Sequence, residues 1–120
     1  MLFSLNTRNV GGAIIVDLSG SLTMGDPAIR LRDMVNRSVA EGNVRLIINL
    51  AGVSALDSSG IGELVATYTT IKKLQGDVKL LNLSPRVRDL LKMTKLLTVF
   101  DTYDDEQKAI TALTSATAHG

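Results

Sequence analysis

The segment Val44-Arg45-Leu46-Ile47-Ile48-Asn49-Leu50 is a nearly continuous apolar run, and it constrains the fold more than any other stretch. Alternation would mark a strand with one wet face, whereas such a run predicts a strand covered on both faces or lying centrally in a sheet. The neighbouring segments supply its partners. Leu2 to Thr7 and Ala13-Ile14-Ile15-Val16-Asp17-Leu18 flank Asn9-Val10-Gly11-Gly12 and predict a β-hairpin, with Ser19-Gly20-Ser21 breaking its second strand. Asp26-Pro27 offers an N-cap followed by proline at the first helical position. Ala28, Leu31, Val35 and Val39 then predict a helix from Pro27 to Glu41, ending at Gly42.

Ile61, Leu64, Val65, Tyr68, Ile71 and Leu74 trace one face of a second helix, Ser59 to Gln75, closed by Gly76-Asp77. Val78 to Leu83 predicts another strand. Ser84-Pro85 repeats the cap-plus-proline signal before a short helix carrying Val87, Leu90 and Leu91. Leu97-Thr98-Val99-Phe100 predicts the last strand, and Asp104 with Gln107 resembles a capping box opening a terminal helix through Ala109, Ile110 and Leu113. The resulting order β-β-α-β-α-β-α-β-α predicts one α/β domain over residues 1–113, a small mixed sheet with an N-terminal hairpin and four helices, then a frayed tail over 114–120. The central strand-helix-strand steps are expected to be right-handed crossovers between parallel neighbours.

Composition removes several kinds of chemistry. The 120 residues include no Cys and a single His, His119, so no thiolate nucleophile, Cys-rich zinc site or multi-His metal cluster is expected. No cofactor and no metal are predicted. Thirteen basic residues against 12 acidic ones give a net charge of +1 and no long-range field favouring nucleic acid. Lys72, Lys73, Lys79, Arg86, Arg88, Lys92 and Lys95 are read as a solvated face, because stacking platforms for single strands are scarce. Met24, Met34 and Met93 are read as gap-fillers. The start of the chain lacks a basic segment leading into a long apolar one, and Asn49, Gly52 and Ser54 interrupt the most apolar region well short of the ~20 residues a membrane span needs. A cytoplasmic protein without membrane insertion is expected.

Asp57-Ser58-Ser59-Gly60-Ile61-Gly62 stands between the central strand and the second helix. Free N–H groups and the positive end of the helix dipole stabilise an anion on Ser58 or Ser59 at such a place. Ser and Asp are also ordinary N-caps, and a capping role for Asp57 or Ser58 competes with any chemical one. Three polar side chains in succession exceed what a cap needs. Gly60 and Gly62 each cost about 1 kcal/mol inside a helix, which points to a close backbone approach, either to the sheet or to a docking partner. The segment is not a phosphate-binding loop, since no Gly-Lys-Ser/Thr follows, and it is not a nucleophile elbow.

Ile47-Ile48-Asn49-Leu50, then Val53, then Asp57-Ser58-Ser59-Gly60-Ile61-Gly62-Glu63-Leu64 resembles the signature of bacterial anti-sigma factor antagonists, the STAS domain family. The likeness continues through Gly76, Val78, Leu83-Ser84-Pro85, Val87, Leu90-Leu91, Thr94, Leu96-Leu97 and Phe100. It implies a STAS-like fold that is not an enzyme but a partner-exchange switch. The unphosphorylated domain binds an anti-sigma factor with serine kinase activity and so releases a sigma factor. Phosphorylation of the serine after the Asp, here Ser58, inactivates the antagonist, and a serine phosphatase restores it. Asp57, Ser58, Ser59, Gly60, Ile61 and Gly62 are then the partner-binding residues, with Thr23 bordering the same surface. Thr23 departs from the pattern: many members carry Gly-Glu-Leu-Asp where this chain has Gly20-Ser21-Leu22-Thr23. A competing expectation is a non-switching scaffold or subunit of a stress-signalling or lipid-transport assembly, with Ser58 as a cap.

Overall fold

The computed structural model describes residues 2–118, with side chains through residue 114. The elements run β1 (Ser4–Val10), β2 (Ala13–Leu22), α1 (Asp26–Ala40), β3 (Arg45–Leu56), α2 (Ser58–Lys73), β4 (Asp77–Leu81), α3 (Pro85–Met93), a 3-10 turn (Leu96–Thr98), β5 (Asp101–Tyr103) and α4 (Glu106–Ala118). His119 and the end of the predicted tail lie outside the described residues. The five strands form one sheet in the order β1-β2-β3-β4-β5, antiparallel at the hairpin and parallel elsewhere.

Strand periodicity divides the interior in two, because successive side chains of a strand leave opposite faces of the sheet. Val16, Leu18 and Leu22 of β2 and Leu46, Ile48 and Leu50 of β3 face one side and pack with Leu31, Val35, Leu64, Ile71, Val87 and Leu91 of α1, α2 and α3. Ala13, Ile15, Ile47 and Leu81 face the other side and pack with Ala109, Ile110 and Leu113 of α4. The apolar run around Ile47 is therefore covered on both faces, as its composition predicts.

Five boundaries differ from the sequence reading. β2 does not break at Ser19-Gly20-Ser21: Gly20 takes φ +88° within the strand, where a Cβ would stand 1.9 Å from the Leu2 carbonyl oxygen, so glycine lets β1 stay alongside. β3 does not end at Leu50. Register shifts against β2 between Asp17 and Ser19 and between Gly20 and Ser21 keep the pair together to Leu22↔Leu56, and Val53 and Leu56 still enter the main core. The predicted strand Leu97 to Phe100 is instead the 3-10 turn and its exit. Val99 and Phe100 donate their N–H groups to the Leu96 carbonyl, at 3.0 Å each, and the Phe100 ring meets Tyr68 edge-on, so pairing with β4 begins only at Asp101. Finally, α1 takes Gly25 as its N-cap rather than Asp26, and the cap of α4 is Asp105 rather than Asp104, accepting from the Lys108 N–H at 3.0 Å.

Lys79 corrects the view of the basic residues as a uniformly solvated set. It is buried, and its ammonium meets Asp101 at 2.6 Å and Asp77 at 2.9 Å, fastening the three-residue β5 to β4. Burial works against the charge, but the two carboxylates outweigh it and hold the Lys79 ammonium above the usual lysine range. The stabilisation is thus complete at neutral pH and lost only as pH rises through the raised folded value. We expect Lys79→Ala to destabilise the protein by about 2 kcal/mol in urea unfolding, through the uncompensated carboxylates and the lost packing of the lysine stem.

Candidate functional site

The site is built where the extended β3 runs directly into α2 with Asp57 as the single joining residue. Asp57 adopts an extended conformation as the N-cap of α2, and its Oδ1 accepts from the Gly60 N–H at 2.9 Å. Its Oδ2 accepts from the Met24 N–H at 3.0 Å. One carboxylate therefore closes the first turn of α2 and ties it to the β2–α1 loop. These backbone donors, Gly60 first and then Met24, hold the Asp57 carboxyl below the usual aspartate range.

With Asp57 in the capping position, Ser58 is released from that duty. It is the first residue of α2 and is exposed, and Ser59 is half-buried. Of the two candidates for the cap, the structure takes Asp57, and Ser58 is an exposed residue in the first turn, at the positive end of the helix. The two glycines also separate. A Cβ on Gly60 would stand 2.1 Å from the Leu22 carbonyl oxygen and 2.8 Å from Leu56 Cδ1, so Gly60 permits the helix to lie against β2. A Cβ on Gly62 would meet nothing within 4 Å. Gly60 serves the sheet, whereas Gly62 leaves a bare stretch of helix one turn beyond Ser58.

Ile61 is half-buried against the main core. Glu63, next along, is buried and ion-paired to Arg32 of α1 at 2.5 Å, while the Thr67 hydroxyl donates to the Glu63 carbonyl at 2.8 Å. The ion pair links α2 to α1, whereas the Thr67 bond is internal to α2. Thr23 lies in the loop held by Asp57. It lines an open groove of about 570 Å³ together with Leu56, Asp57, Arg86, Leu90 and Met93.

The groove brings in residues that the sequence reading left aside. Met24 and Met93 are 76% and 78% exposed, so neither fills a gap in the core; Met34 alone of the three packs against it. The signal for α3 was its spacing: Arg86, Leu90 and Met93 fall at i, i+4 and i+7, a stripe separate from the core-facing Val87 and Leu91.

The chain is similar to known proteins over most of its length. The STAS domain family model matches residues 4–109. The chain is 30% identical over 105 residues to the anti-sigma F factor antagonist of Paenibacillus polymyxa, covering 85% of this chain and 87% of that protein. It is 34% identical over 101 residues to the anti-sigma-B factor antagonist of Bacillus subtilis, covering 84% of this chain and 91% of that one. The crystal structure of an anti-sigma factor antagonist from Mycobacterium paratuberculosis superposes with a TM-score of 0.83 at 27% identity, over 93% of this chain and 94% of the other.

The contrast between the glycines predicts opposite signs in thermal or urea unfolding. Gly60→Ala should destabilise by about 2 kcal/mol or more, through collision with backbone. Gly62→Ala should stabilise by about 0.5–1 kcal/mol, through helix propensity alone. For Asp57, a depressed folded pKa means stability that is present above the unfolded value and lost as pH falls through the folded one. Asp57→Ala should therefore melt below the wild type at neutral pH, with the gap narrowing in acid as the wild-type carboxylate becomes protonated.

Proposed function

The chain belongs to the STAS domain family, and from that premise we propose that it is an anti-sigma factor antagonist switched by phosphorylation at Ser58. The observation that carries this reading is the exposed Ser58 hydroxyl at the head of α2, spared from capping by Asp57. In its unphosphorylated state the protein binds an anti-sigma factor that is also a serine kinase, in the cytoplasm, and a sigma factor is set free. The docking surface comprises Asp57, Ser58, Ser59, Ile61 and Gly62, with Thr23 at its border, while Gly60, buried against β2, seats the turn rather than facing the partner. Bare helix at Gly62 supports this surface, since a partner can approach the backbone there without meeting a side chain.

The kinase transfers the γ-phosphoryl group of ATP to Ser58 Oγ, and a serine phosphatase removes it. The phosphate brings about −1.5 to −2 charges at neutral pH. Placed at a helix N-terminus, it is tolerated by the dipole, so the fold persists. It also stands beside Asp57, whose depressed pKa keeps it ionised. A partner closing over the turn would then have to desolvate two adjacent anions, and binding is lost without unfolding.

Incubation with histidine-kinase-like ATPases of the same genome and ATP should add one phosphate to Ser58, read by intact mass and peptide mapping. Ser58→Ala should bind the partner and resist release by ATP. Ser58→Asp should bind at least about tenfold more weakly, roughly 1.4 kcal/mol, with circular dichroism nearly unchanged in both. Equal affinities of the two variants would sink the switch, and a large loss of helix in Ser58→Ala would favour a structural cap instead.

A further inference from the structure

We infer that the groove between the β2–α1 loop and α3 is a specificity pocket of the docking surface, taking an apolar side chain of the anti-sigma factor with a carboxylate beside it; this rests on the reading of Ser58 given above. The groove is continuous with the turn, because Asp57 and Thr23 form one wall and Asp57 directly precedes Ser58. A partner that covers the Ser58 hydroxyl reaches this cleft as well.

The opposite wall is α3, and it carries two features that the fold itself does not use. The first is Met93: Leu90 and Met93 both line the groove, but Leu90 packs partly against the main core beside Val87 and Leu91, whereas Met93 is 78% exposed and adds nothing to the core. Met24, next to Thr23, is equally bare. The flexible, polarisable Met93 on the wall of an open cleft suits an apolar side chain of adaptable shape.

The second feature is the charge of Arg86. It sits in the first turn of α3, where the helix dipole disfavours a cation and an acid would be the stabilising choice. Among the described residues it has no ion-pair partner, and neither has Asp89, which also lines the groove. The Asp57 carboxylate is already engaged by two backbone N–H groups. Arg86 therefore offers a planar set of unused donors beside an apolar surface, which matches a carboxylate on the partner. A phosphate on Ser58 would add negative charge next to Asp57, which lines the groove, and so oppose the carboxylate that Arg86 attracts.

The test is a titration of the unphosphorylated full chain against the purified anti-sigma ATPase that Ser58→Ala binds. Arg86→Glu and Met93→Asp should each weaken binding at least about tenfold, with thermal midpoints close to wild type because both side chains are exposed. Lys92→Glu, on the same helix but outside the groove, should change affinity less than about twofold. Arg86→Ala should also flatten the salt dependence of binding. If Arg86→Glu and Met93→Asp bind as wild type does while Ser58→Asp is weakened, the pocket is overturned and the Ser58 reading stands. If Ser58→Asp binds as tightly as wild type, the reading itself falls and the pocket with it.

Discussion

A Cβ on Gly60 would collide with the Leu22 carbonyl oxygen, and that approach of α2 to the end of β2 governs the geometry of the whole upper edge of the sheet. Because the helix can lie so close, β3 needs no loop before it, and the single residue Asp57 reaches in two directions at once. A longer connection would leave the β2–α1 loop untied and the first turn of α2 free to reorient. The two register shifts along β3 belong to the same arrangement: they lengthen the strand by a twist rather than a turn, so that Leu56 still enters the core immediately before the cap.

How much of this was legible beforehand depended on whether the signal was local. The element order, the hairpin, the Ser84-Pro85 cap and the covered central strand all follow from residues adjacent in sequence. The failures share a different origin. Gly20 looks like a terminator, and only the neighbouring β1 shows why a strand would carry it at positive φ. Leu97 to Phe100 has strand-like composition, but Phe100 is claimed by Tyr68 across the core and the backbone folds into a turn. Lys79 reads as one of many surface cations until pairing of β4 with β5 brings Asp101 beside it. At the candidate site, the run from Asp57 to Gly62 was visible in full. Its division of labour was not: the cap is a bond across three residues that Asp57 and Ser58 could both compete for, while the second grip of Asp57 on Met24 and the glycine that touches the sheet depend on contacts across 33 or more residues.

The placement of charge follows one economy. Ion pairs join elements distant in sequence: Lys79 holds the three-residue edge strand, and Glu63 with Arg32 links α2 to α1. Arg8, joining Asp17 to Glu106, bridges the hairpin to the first turn of α4, although its exposure limits what it contributes. Around the turn at Ser58 the pattern is reversed. The acid there is satisfied by backbone N–H groups rather than by a cation, and Arg86 on the far wall of the groove has no ion-pair partner among the described residues.

The separate apolar cluster beneath α4 has a consequence for how the molecule can vary. Ala109, Ile110 and Leu113 touch the sheet from the side opposite to α1, α2 and α3, and share no side chain with the face that carries the serine turn. Substitutions on the two sides therefore perturb different neighbours and should add nearly independently. The rear of the sheet is thus a place where length, sequence or an appended segment can drift while the recognition face keeps its shape, leaving the domain free to be embedded in new molecular contexts from behind.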